Sequence, residues 1–103
     1  DLPIKLIDIP SNVFSSLHLA IVRLEKRSSF YKVFNHMRES GIGVQLHYLP
    51  VHLHPYYKNL GFKEGDFPES EKYSKYSFSL PLYPELKYRD LKRVANALKE
   101  IID

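Results

Sequence analysis

Between Leu17 and Leu24 apolar side chains alternate, with Leu19 and Ile21 on one side of an extended chain and His18, Ala20, Val22 and Leu24 on the other. That pattern predicts a largely buried strand. The period then changes. Phe30, Val33, Phe34 and Met37 recur at i, i+3, i+4 and i+7, the stripe of an amphipathic helix; Ser28 or Ser29 is placed to cap its free amides and Gly41 to end it. Val44, Leu46 and Tyr48 alternate with Gln45 and His47, which predicts a second strand stopped by Pro50. Residues 51–67 hold no period and read as a loop with one helical turn around Tyr56 to Leu60, long for a passive connector. Glu69 to Phe78 reads as a helix behind Pro68, with Tyr73, Tyr76 and Ser77 inward. Phe78, Leu80 and Leu82 predict a third strand, which Pro81 confines to a sheet edge. A closing helix is marked by Leu91, Val94, Ala95, Leu98 and Ile101 or Ile102, with Lys92, Arg93, Lys99 and Glu100 on its outer face.

Three short strands and three helices predict an α+β domain, a small three-stranded, mostly antiparallel sheet with helices packed on one side. Residues 1–16, with Pro3 and Pro10 and no helical spacing, read as an extended lead-in from elsewhere, and residues 17–103 as the domain. The chain has 103 residues, and one this short buries only about 60–70% of its unfolded surface, enough for a single core. Eight Tyr and six Phe supply most of the bulk, and Cys is absent, so hydrophobic packing must hold the fold without disulfides or thiolate metal sites. A chain without Cys fits a reducing compartment, and cytoplasm is the default expectation. No apolar run approaches the roughly 18 residues of a bilayer span, and the first residues do not resemble a secretory signal, so no membrane partner is expected. The absence of an initiator Met suggests a processed product or an excised piece of something longer. A net charge of +3 does not call for a nucleic-acid partner. The basic and aromatic residues of Lys72 to Tyr76 are offset by Glu69 and Glu71 and read as a solvated helix face.

Chemically versatile side chains concentrate in His47-Tyr48-Leu49-Pro50-Val51-His52-Leu53-His54-Pro55-Tyr56-Tyr57, which holds three of the five histidines. Imidazole and phenol donate and accept hydrogen bonds near neutral pH, and Pro50 and Pro55 stiffen their presentation. This suits a binding surface; the same groups would equally serve to pack the loop on the sheet. A metal site of His47, His52 and His54 is not expected, because no Asp or Glu lies between Gly41 and Gly61 and the spacing matches no structural zinc pattern. No nucleophile elbow and no glycine-rich phosphate loop occurs, so a self-contained hydrolase is not expected.

Several motifs in order carry a resemblance: Gly41-Ile42-Gly43-Val44-Gln45-Leu46-His47-Tyr48-Leu49-Pro50-Val51-His52, Pro55-Tyr56-Tyr57, Gly65-Asp66-Phe67-Pro68, and Ser79-Leu80-Pro81-Leu82-Tyr83-Pro84. From about His18 onward the sequence resembles the C-terminal domain of the DegT/DnrJ/EryC1/StrS family, pyridoxal-phosphate-dependent sugar aminotransferases. The run from Val51 to Tyr57 and Gly65 to Pro68 is similar to the subgroup making the 4-amino-sugar precursor of pseudaminic acid. Leu17 and Ala20 stand where the family usually has aromatics, and Lys87 stands where a Ser or Thr usually caps the last helix.

The resemblance implies the small C-terminal domain of a fold-type I transferase. It further implies a missing N-terminal domain that carries the Schiff-base lysine, the acid facing the pyridine nitrogen and the phosphate site, none of which matches a residue here. Pyridoxal phosphate is thus implied for the complete enzyme and not expected bound to this chain, whose cofactor contacts are unassigned. The activity implied is amino transfer, with glutamate the expected donor, to a nucleotide-linked keto sugar in polysaccharide or glycan biosynthesis, by an enzyme usually dimeric. The loop from His47 to Tyr56 would border the sugar pocket, making His52 the first expected substrate contact, followed by Tyr48, His47 and Tyr56. The alternative is a free-standing, non-catalytic module whose His/Tyr loop grips a protein or nucleic acid. A domain that packs on another should expose apolar residues, for which Leu2, Ile4, Leu6, Ile7 and the Tyr56-Tyr57 region are the candidates.

Overall fold

The strand richest in β-branched and aliphatic side chains takes the centre of the sheet. In the computed structural model, which describes residues 3–25 and 30–102, β2 (Ala20–Leu24) lies between β1 (Ile4–Leu6) and β3 (Ser77–Leu80), antiparallel to both. Val22 faces Phe78 and Leu24 faces Ile4 across the ladders. These residues share one face and form the core with α1 (Phe30–Glu39) and α4 (Tyr88–Ile101). Phe78, Phe30 and Phe34 meet as a trio, the Phe78 ring edge-on to the other two at centroid separations of 5.9 and 6.1 Å. This geometry adds to the area the rings bury. The expected class, a small α+β unit with a three-stranded antiparallel sheet, is the one observed.

The sheet is assembled differently from the expectation. The segment Val44 to Tyr48 is not a strand: Gln45 alone bridges Ser79, while Leu46 and Tyr48 face outward. Continuing that antiparallel pairing would set Gly43 opposite Pro81, which has no N–H to extend the ladder. In the other direction the Ser79 hydroxyl and the His47 ring take over the bonding. The third strand comes instead from the lead-in, whose Ile4–Leu6 pairs with β2. The rest of that segment stands off, with residues 5–18 exposed and Phe14 99% so. The radius of gyration, 15.4 Å, accordingly exceeds the roughly 13 Å of a compact chain near 100 residues.

Local signals set the remaining elements. α1 ends where Gly41 takes φ +76°, with Ile42 N–H donating to the Met37 carbonyl and Gly41 N–H to that of Arg38, while Met37 and Ile42 are both buried. This double bond with an apolar clasp needs a residue free to turn left-handed. Arg93 of α4 donates to the Ser40 carbonyl at 2.6 Å and so ties the two helices. The serines expected to cap α1 lie outside the described residues. α3 (Pro68–Tyr76) stops two residues before the expected end, because Ser77 and Phe78 are needed in β3 opposite Arg23 and Val22. In α4 the buried stripe is Val94, Ala97, Leu98 and Ile101, with Ala95 turned to solvent. Lys87 offers its helix no side-chain cap, and Asp90 in the first turn supplies the negative charge its amides favour.

Phe78 joins sheet and helices, so Phe78→Ala is expected to cost about 3–5 kcal/mol, read as a lower urea midpoint with an unchanged slope. A loss under about 1 kcal/mol would place the centre of the core elsewhere.

Candidate functional site

The histidine- and tyrosine-rich segment follows the Gln45–Ser79 bridge and leaves the sheet at His47. Its ring bonds through Nδ1 to the hydroxyl of Ser79, a buried residue of β3, and Ser79 Oγ donates onward to the Gln45 carbonyl at 3.3 Å. With the hydroxyl proton directed at Gln45, the neutral imidazole carries its proton on Nδ1 and keeps Nε2 as an acceptor. The His47–Tyr48 peptide bond is cis. The Tyr48 ring stands edge-on to His47 at 4.6 Å and is 69% exposed.

Pro50 begins a short 3-10 turn, Val51–Leu53, and Pro55 opens α2 (Pro55–Asn59) as its first residue, the position where a missing N–H costs least. His54 between them bonds the Leu49 carbonyl through Nε2 at 3.1 Å. α2 closes at Gly61, φ +106°, with Phe62 N–H donating to the Tyr57 carbonyl and Gly61 N–H to that of Lys58. The Tyr57 and Phe62 rings touch alongside. Tyr56 projects from this helix 68% exposed.

His52, the first expected contact, is placed otherwise. Only 6% of it is exposed, and its ring lies against Phe67, with Nε2 3.3 Å from Oε2 of Glu71. That contact is an ion-pair approach without the alignment of a hydrogen bond. Of the four expected residues, then, Tyr48 and Tyr56 stand outward, His47 is half-buried on Ser79, and His52 is enclosed. No ring contact or hydrogen bond joins the His47–Tyr48 pair to the His52–Tyr56 group among the described residues. His47, His52 and His54 turn to three separate partners, and no cluster of three His, Asp or Glu fit to hold a metal occurs among the described residues.

The residue the sequence reading missed is Glu71. Its place among Lys72 to Tyr76 and Glu69 predicts a solvated helix face, yet it is 6% exposed. Its Oε1 accepts the Gly65 N–H at 2.7 Å and its Oε2 the Phe67 N–H at 3.1 Å. The signal lay in position: an acid in the first turns of a helix can fold back on the amides before it. The Gly65 amide foremost, then the Phe67 amide and the His52 side chain, hold the Glu71 carboxyl below its ordinary value of 4.5, against the opposing effect of burial. Imidazole and phenol groups on this edge can orient a hydroxyl or phosphate oxygen. They cannot form the imine that anchors pyridoxal phosphate.

A carboxyl whose folded pKa is depressed stabilises the fold above its unfolded pKa, and loses that contribution as pH falls through the folded one. The stability gap between the protein and Glu71→Gln is therefore expected to be widest near pH 7 and to close as pH drops through the ordinary value of 4.5 toward the lowered folded value. Urea midpoints from pH 7 to pH 3 read this directly; a gap independent of pH contradicts it.

The DegT/DnrJ/EryC1/StrS aminotransferase family matches residues 1–99. The spore coat polysaccharide biosynthesis protein SpsC of Bacillus subtilis is 46% identical over 62% of the chain and 17% of its own length. The dTDP-3-amino-3,4,6-trideoxy-alpha-D-glucose transaminase of Streptomyces venezuelae is 36% identical over 81% of the chain and 21% of its own. Among solved structures, Spr1654 of Streptococcus pneumoniae, known in apo- and PMP-forms, superposes with a TM-score of 0.88 at 26% identity. It aligns over 96% of this chain and 26% of its own. S. venezuelae DesV, in complex with a ketimine intermediate, gives 0.83 at 32% identity over 95% and 26%. Helicobacter pylori PseC, an aminotransferase of pseudaminic acid biosynthesis, gives 0.73 at 20% over 82% and 23%, a likeness of fold alone. The chain thus spans about a fifth of the length of the curated relatives it matches and about a quarter of the solved chains. Over that span, with the sheet and loop described above, it belongs to the DegT/DnrJ/EryC1/StrS aminotransferase family.

Proposed function

We propose that the chain is the C-terminal part of a pyridoxal-phosphate-dependent aminotransferase. In this reading the enzyme passes an amino group, with glutamate as donor, to a nucleotide-linked keto sugar. The observation that carries it is the pair of exposed phenols, Tyr48 and Tyr56, standing on a proline-stiffened loop anchored by the buried Pro50 and His52. Donors held in a fixed direction lose little entropy when they meet a sugar hydroxyl or a phosphate oxygen. His47 adds an acceptor, its Nδ1 engaged by Ser79. These three form the substrate edge in this reading, and His52 supports it from behind.

Kinship with a sugar-nucleotide transaminase and with a structure solved with a ketimine supports both the reaction class and the cofactor. Resemblance to PseC at 20% identity carries no particular sugar, so the proposal names the substrate class. In this reading residues 1–16 lead in from a larger domain that carries the lysine holding the cofactor, and residues 17–103 are the small domain. Leu6, Ile7, Val13 and Phe14 stand exposed along the lead-in and Leu17 at its junction with the small domain, the apolar surface such a partner would cover. Leu2, another candidate, lies outside the described residues, and Ile4 is partly buried in the sheet. The reading includes a homodimer acting in the cytoplasm; no described helix is long and apolar enough to cross a membrane.

In the complete enzyme, Tyr48→Phe and Tyr56→Phe keep the rings and remove one hydroxyl each. Each is expected to lower kcat/KM for the nucleotide sugar about three- to tenfold, the worth of one hydrogen bond. Amine uptake from the donor should be unchanged. Steady-state and half-reaction kinetics measure this, and a complete enzyme that aminates no nucleotide-linked keto sugar overturns the proposal.

A further inference from the structure

From residue 54 to residue 70 every side chain is exposed, and in the preceding 3-10 turn only His52 is buried. Hydrophobic burial therefore does not fix the segment that carries Tyr56. The Glu71 carboxylate reaches it at three points: it accepts the Gly65 and Phe67 amides beyond α2 and approaches the His52 ring before it. One side chain of α3 thus clasps both ends of the loop. The rings carry the constraint outward, because His52 packs on Phe67, Phe67 on Phe62, Phe62 on Tyr57, and Tyr57 on Tyr56, with centroid separations of 4.9, 6.0, 6.3 and 5.2 Å.

Resting on the function proposed above, we infer that Glu71 is a positioning residue for the sugar-binding step, acting through His52 and the two loop amides to hold the Tyr56 segment in place. A carboxylate suits this role better than an apolar side chain, because it bonds two amides in set directions at once and draws an imidazole to the same oxygen. An isosteric amide cannot match it. Glu71→Gln keeps one acceptor oxygen but turns an NH2 group toward an N–H, so one end of the clasp opens.

The test uses the complete enzyme loaded with pyridoxal phosphate, a nucleotide-linked keto sugar and glutamate. Glu71→Gln is expected to raise KM for the sugar about tenfold or more, while KM for glutamate and the amine-uptake half-reaction stay unchanged. Hydrogen exchange at the Gly65 and Phe67 amides should quicken by a similar factor, with β2 and β3 protected as before. His52→Asn, which leaves both amide bonds to Glu71 in place, should shift the sugar KM the same way by less, and it decides the matter if Glu71→Gln fails to fold. Equal losses for both substrates, or an unmoved sugar KM, overturn the inference. If the unaltered enzyme aminates no keto sugar, the functional proposal falls; unchanged exchange at Gly65 and Phe67 in Glu71→Gln removes the clasp on its own.

Discussion

A carboxylate withdrawn from water needs replacement for its hydration, and at Glu71 the replacement is what gives the loop its shape. Two backbone amides and an imidazole stand where water would. Burying an ionised group with fewer partners would be unfavourable, so closure of the loop and burial of the acid occur together or not at all. The β-sheet core, by contrast, is held by ordinary packing among Val22, Leu24, Phe78, Val33 and Met37. Two kinds of force therefore serve two parts: apolar contact builds the platform, and a polar clasp shapes what stands on it.

Elements dictated by local chemistry were legible in the sequence. α1 follows from a single stripe and a glycine able to turn left-handed, both confined to a dozen residues. α2, with Pro55 at its start, and the edge position of β3 beside Pro81 follow from the same kind of reasoning. Strand pairing depends on partners far along the chain, and there alternation misled. Val44, Leu46 and Tyr48 have the right period, but a strand needs a neighbour whose amides are free, and Pro81 ends that ladder. Ile4–Leu6, three residues with little periodicity to announce them, found the open side of β2 instead.

The candidate site divides along the same line. Its composition marked the loop, and the stiffening prolines sit where expected, yet six similar-looking His and Tyr residues meet different fates. Tyr48 and Tyr56 stay outside, whereas His52 is drawn in because a carboxylate waits behind it. Nothing between Gly41 and Gly61 supplies that acid. It comes from α3, nineteen positions on from His52, and its carboxylate faces back only because the turn at Gly65 and Phe67 brings their amides to it. Ser79 does the same for His47 from thirty-two residues away. Neither pairing has a local signature, and each decides which atoms of an imidazole remain open.

The division of labour has a consequence for how such an edge can change. In the function proposed above, the residues that contact the sugar are free to vary with it, since Tyr48 and Tyr56 are largely exposed and replacing their hydroxyls leaves the packing intact. The clasp behind them serves any substrate the edge is given, because it acts on backbone amides whose chemistry is independent of side-chain identity. Specificity and orientation thereby reside on different residues. Substitution at the outer phenols should redirect binding at small cost to the fold, while substitution at Glu71 should loosen every version of the edge alike.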